Sequence, residues 1–190
     1  MRLNAFATLA AAGLALGLAT AALAVTPQGA TPRPTPPGRQ PTEEQWGPAR
    51  PFPAGTLRSA RIRLERTACY GTCPVYSVEI HGDGTVIWNG ERFVKAMGAR
   101  RYRIPVAKVR ALAARFRAAR FYSALEAYEG GVTDLPSANL TLTWGGVSKS
   151  VRDYAGLMAG MPHAVHDLEL AVDEAAGTKA LIGGPQQWRR

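Results

Sequence analysis

Two cysteines three residues apart, in Cys69-Tyr70-Gly71-Thr72-Cys73-Pro74, are the first residues in this chain whose type and spacing suggest chemistry. Gly71 allows a tight turn, which would bring the two sulfurs within bonding distance. Three chemistries use such a pair: a structural disulfide, a redox-active dithiol, or a soft-metal site such as Cu(I) on two thiolates. Redox pairs usually sit at a helix start, which lowers the thiol pKa. Here the pair falls between two strand patterns, with three intervening residues instead of the two of a thioredoxin motif. Copper would want a third ligand. His81 is the nearest histidine in sequence, but as the last residue of the second strand pattern it should lie at the far end from the loop. The spacing therefore favours a structural disulfide between Cys69 and Cys73, and so small a loop should contribute only about 2 kcal/mol.

Other constellations are weaker. His163 and His166 share a helical segment, and His163 with Asp167 makes an i, i+4 pair. A solvated polar face explains them without a metal. Asp83 suits a turn. Ser137 and Ser150 lack a nucleophile-elbow context. Gly82-Asp83-Gly84 is too short for a phosphate cradle and precedes a strand pattern, not a helix. Asp153-Tyr154 with Lys149 reads as a polar cluster with ordinary loop hydrogen bonding. Two cysteines and three histidines do not supply the usual motif of a closed zinc site. No catalytic residue, metal ligand set or cofactor is expected.

The charge balance is basic, with 23 Lys+Arg against 14 Asp+Glu and a formal charge of +9. Arginine outnumbers lysine 19 to 4, partly a compositional habit that accompanies the alanine and proline richness. Arg61, Arg63, Arg100, Arg101 and Arg103 nevertheless give one region a positive cast. Arg61 and Arg63, with Tyr70, Gly71, Thr72 and Pro74 of the cysteine loop, form the candidate interaction surface. The natural partners outside the cytoplasm are an envelope protein, a polymer or an anionic surface. No recognition motif points to nucleic acid.

The elements that must position these residues follow from pattern. Residues 1–24 read as a secretory signal: Arg2, an apolar run from Ala5 to Leu18, then Ala22-Leu23-Ala24 as a small-residue cleavage site. Export follows, to the periplasm or medium, with no transmembrane segment after signal removal. Residues 25–55 carry most of the prolines and read as an extended, solvated linker, with Trp46 and Phe52 placed to dock back. Residues 56–177 form one domain and residues 178–190 a flexible basic tail. Within the domain, alternation marks strands over 61–66, 75–81, 85–89 and 92–97, with Asn89-Gly90 as a turn. Pro105 opens a helix with Val109, Leu112 and Phe116 inward. A hairpin follows over 140–151, then a helix from Pro162 to Gly177. The expected fold class is α+β: a four-stranded antiparallel meander, helix, hairpin and helix, with both helices on one face.

The run C-Y-G-T-C-P-V-Y followed by S-V-E-I-H-G-D-G-T-V resembles the bacterial family catalogued as domain of unknown function 6438. The similarity continues through Glu91 to Val94, Phe116, Phe121-Tyr122, Asp134 to Pro136, Lys149 to Tyr154 and the helix with Leu168, Val172 and Asp173. The resemblance implies a small domain common in exported bacterial proteins and transfers no catalytic residues. The functional expectation is a non-catalytic envelope module that binds a partner. The alternative is a thiol-redox or Cu(I)-handling protein using the cysteine pair.

Overall fold

The computed structural model describes residues 43–184. The expected signal (1–24), the first part of the linker (25–42) and the end of the tail (185–190) lie outside the described residues. Among the described residues the fold is α+β, with a seven-stranded, mostly antiparallel sheet and three helices. The strands are β1 (Arg61–Arg66), β2 (Val75–His81), β3 (Thr85–Arg92), β4 (Gly98–Arg103), β5 (Ala127–Glu129), β6 (Ala138–Trp144) and β7 (Val147–Tyr154). Their order across the sheet is β4-β3-β2-β1-β6-β7-β5, and the β5–β7 pair is parallel. The helices are α1 (Val106–Ala118), α2 (His163–Ala176) and the four-residue α3 (Lys179–Ile182).

One face of the sheet carries the core. Ile62 and Leu64 of β1, Val78 and Ile80 of β2, Trp88 of β3, and Leu140 and Leu142 of β6 are fully buried or nearly so. They pack with Val109, Leu112 and Phe116 of α1 and Val165, Leu168 and Val172 of α2. The period-2 and period-3.6 patterns meet on a common interior. No helix among the described residues is long and apolar enough to cross a membrane.

Three boundaries differ from expectation, each for a physical reason. The fourth strand is 98–103, not 92–97, because Asn89-Gly90 does not turn and β3 continues to Arg92. Gly90 is instead a close-approach position: a Cβ there would collide with the Ala96 carbonyl, which accepts a 2.8 Å hydrogen bond from Trp88 Nε1. The turn comes later, with Phe93 and Gly98 at positive φ. Second, residues 43–55 are not a free linker. Gln45 N donates to Gly160 O, Gly47 N to Ser123 O, and Phe52 packs edge-on to Tyr122 and Trp144. Arg120 caps the Trp46 ring. Proline bars a strand ladder, yet loop carbonyls and hydroxyls satisfy this strap one group at a time. Third, residues 178–182 are folded: Lys95 and Ala96 donate backbone hydrogen bonds to Ile182 and Leu181 of α3.

Candidate functional site

Helix α2 sets a polar line beside its apolar stripe. His166, Glu169 and Asp173 recur at helical spacing and meet the core face of the sheet near the ends of β1 and β7. Alternation along β7 turns Asp153 inward with Val151, and both are buried. Arg66 and Tyr76, register partners at the end of the β1–β2 pair, complete the group.

Two subclusters result. In the first, Asp173 is saturated with donors. Arg66 reaches its Oδ2 with Nη2 at 2.9 Å and Nε at 3.1 Å, Tyr76 OH donates to Oδ1 at 2.6 Å, and Thr178 Oγ1 donates to Oδ1 at 2.8 Å. In the second, Asp153 accepts from Gly156 N at 2.6 Å and lies 2.9 Å from His166 Nδ1. Glu169 is 3% exposed; its Oε2 takes a 3.3 Å contact from Arg66 Nη1, and no N–H or hydroxyl of another residue donates to its buried Oε1. Asp153, His166 and Glu169 offer ligand atoms all within 4.8 Å of one another.

Burial pushes the Glu169 carboxyl up to about 8, and the neighbouring Asp153 charge adds to this against the pull of Arg66. The hydrogen bond to Asp153 holds the His166 imidazole above its ordinary range despite partial burial. Burial would raise Asp153, but His166 and the Gly156 amide hold it below the usual carboxylate value. Burial and the Asp173 charge push the Tyr76 phenol up. Burial alone would lower Arg66; Asp173, Tyr76 and Glu169 together hold its guanidinium above its usual value.

Of the residues singled out from sequence, His166 and Asp153 belong to this cluster, whereas the cysteine pair and the candidate interaction surface lie elsewhere. Cys69 and Cys73 form a disulfide, with Cα atoms 5.7 Å apart, in the loop between β1 and β2. Tyr70 at its tip is 90% exposed, Gly71 and Thr72 are exposed and Pro74 is half-buried. Tyr70 N donates to Asp134 O, so the loop leans on the 130–137 segment. His81 pairs with Arg61 at the opposite end of β1, which separates it from the cysteines. Arg61 and Arg63 lie on the sheet face opposite the helices. A cross-strand row there runs Arg101, Ile87, Glu79, Arg63, Thr141, Ser150. Arg63 thus shares a face with Arg101 but stands three strands away from it, across Glu79 and Ile87, whereas Arg100 takes the other face. The five steps of β1 at about 3.3 Å each set Arg61 some distance from the cysteine loop, so the candidate surface is two patches.

A family model described as Domain of unknown function (DUF6438) matches residues 60–176. The chain belongs to this family. No curated protein matches the chain. The DUF6438 span runs from the residue before β1 to the last residue of α2. It therefore contains the cysteine loop, the open sheet face and every member of the α2 cluster except Thr178, and leaves out the 43–55 strap and α3.

Sequence reasoning missed the α2 cluster because it paired the wrong residues. His163 and Asp167 are exposed, while His166 turns toward β7. The signal was present: Val165, Leu168 and Val172 define the inward stripe, and Glu169 falls within it. A carboxylate on that stripe demands a partner.

Proposed function

We propose that this DUF6438 chain is an exported, non-catalytic binding module of the bacterial envelope, and that its partner is an anionic polymer lying across the open sheet face. The observation that carries this reading is the asymmetry of the sheet. Helices α1 and α2 pack on one face with the core. On the other, Arg61 and Arg63 of β1 flank Thr143 and Thr141 of β6 and, beyond them, Ser148, Ser150 and Arg152 of β7, with Arg101 and Arg103 of β4 on the far side of Glu79 and Ile87, and no described helix lies over them. Arg61 pairs with Glu79 at 3.6 Å, Arg63 with Glu65 at 3.5 Å and Arg103 with Asp83 at 3.7 Å. Such exposed pairs hold by only about 0–1 kcal/mol, so an anionic ligand can displace them. Guanidinium forks beside a block of hydroxyls match a polymer bearing acidic and hydroxyl groups. A lipid surface would call for apolar insertion, and this face offers Ile87 as its large exposed hydrophobic residue. Export is supported by the signal-like segment at residues 1–24 and by the Cys69–Cys73 disulfide.

The test measures sedimentation of the chain with a carboxylated polysaccharide and, separately, with phosphatidylglycerol vesicles. Polymer binding should weaken as salt shortens the screening length to about 8 Å at physiological ionic strength. Arg61→Glu with Arg63→Glu should weaken it several-fold and leave the fold intact. Salt-independent binding, no change in the double variant, or binding to vesicles alone would overturn the proposal.

A further inference from the structure

We propose that Asp153, His166 and Glu169 form a binding site for a divalent first-row transition ion of the Zn2+ type, seated between β7 and α2. The three residues belong to two elements that the sheet and helix packing hold side by side. Their ligand atoms, one imidazole nitrogen and two carboxylate oxygens, all lie within 4.8 Å of one another. An ion bonded to nitrogen and oxygen at roughly 2.0–2.2 Å needs its ligands roughly 3–3.5 Å apart, a gap that side-chain rotation closes.

The independent observation is Glu169 Oε1. This oxygen is buried, on a side chain 3% exposed, and no N–H or hydroxyl of another residue donates to it; the proton that Glu169 shares with Asp153 is what an entering ion would displace. A buried carboxylate oxygen without a donor is costly, and a cation removes that cost. Arg66 does not serve: it contacts the other oxygen, Oε2, at 3.3 Å and is bound more closely by Asp173. Two carboxylates balance a doubly charged ion, while Arg66 is balanced by Asp173.

The donor set decides the class of ion. Calcium takes six to eight oxygens, which an imidazole does not provide. Cu(I) favours thiolates, and both cysteines are in the disulfide. One imidazole with two carboxylates suits Zn2+ and its neighbours. The His166 side chain is 31% exposed, which gives an ion a route from solvent and leaves room for water as a further ligand. The site lies under α2, apart from the open sheet face, so its outcome is independent of polymer binding.

The experiment titrates ZnCl2 into the oxidised full chain after chelator treatment, read by calorimetry and by thermal unfolding. Binding of about one equivalent is expected, with a raised midpoint of unfolding. His166→Ala and Asp153→Asn should each weaken binding by about tenfold or more. His163→Ala, at an exposed position on the same helix, should change nothing. If Asp153→Asn does not fold, His166→Ala decides the matter, since alanine is favoured in a helix and the position is partly exposed. No saturable binding up to about 1 mM, or an unchanged affinity in His166→Ala, would overturn the proposal.

Discussion

Asp173 and Glu169 lie four residues apart on the same side of α2, touch the same arginine, and differ in every other respect. Asp173 receives two nitrogens of Arg66, the Tyr76 hydroxyl and the Thr178 hydroxyl. Glu169 receives one 3.3 Å contact on one oxygen and no N–H or hydroxyl of another residue on the other. A polar group whose every lone pair is met is part of the scaffold. A buried group left half-satisfied, beside a histidine and a second carboxylate, is where a ligand belongs. Within one turn of helix, the same kind of side chain is thus met by four donors in one place and by a single guanidinium contact in the other.

The sharpest way to break this comparison is to remove the residue common to both sides. Arg66→Ala would leave Asp173 and Glu169 with no guanidinium between them, both largely buried. Losing one partner of a buried pair costs about 3–5 kcal/mol, because the remaining charge stays desolvated. Urea denaturation should show a loss of this size. A loss under about 1 kcal/mol would mean that water already screens the cluster.

The second test separates the two carboxylates by pH in the metal-free chain. Glu169 titrates at about 8 in the fold against an ordinary 4.5, held up by burial and by Asp153 of β7 against Arg66 of β1. Between those values the folded chain holds a proton that the unfolded chain has released. This contribution is therefore complete below about pH 4.5 and is lost as pH rises through 8. His166, also raised, has the same sign: complete below its unfolded value of 6.5 and lost above its folded one. Asp153, lowered, acts in the opposite sense and loses its contribution only in acid, below 3.8. Stability measured with chelator present should fall from pH 5 to pH 9 by on the order of a few kcal/mol, and Glu169→Gln should flatten the slope. A stability that climbs over this window would contradict the assignment of Glu169 as the proton-holding side.

The parts of the molecule legible in sequence were those governed by period. Alternation in Arg61–Arg66 and Val75–His81, and the apolar stripes of α1 and α2, have one physical cause each and read directly. The misread parts have two competing causes. Gly90 looked like a turn residue, but its missing Cβ makes room for the Ala96 carbonyl. The proline-rich 43–55 segment could not be a strand, and composition does not reveal that Ser123, Gly160 and Tyr128 offer its backbone hydrogen-bond partners. Three-residue β5 carries too few positions for a period, and its buried Tyr128 instead gave no pattern at all. The α2 cluster joins residues more than a hundred apart in sequence, so only the fold could place Arg66 beside Asp173.

The finest test asks whether the Asp173 side is as redundant as its donor count implies. Tyr76→Phe removes the 2.6 Å hydrogen bond to Asp173 Oδ1 and the acceptor for Arg66 Nε at 3.1 Å. It leaves the ring stacked on Trp88, with centroids 4.7 Å apart, so packing is unchanged. Asp173 Oδ1 keeps Thr178, and Oδ2 keeps two nitrogens of Arg66. No carboxylate oxygen is stranded, and the cost should be that of one ordinary hydrogen bond, about 1 kcal/mol. Urea denaturation of the phenylalanine variant at neutral pH measures it. A loss near that of Arg66→Ala would show that the tyrosine hydroxyl, and not the guanidinium, keeps Asp173 satisfied, and the contrast with Glu169 would then rest on one donor instead of four.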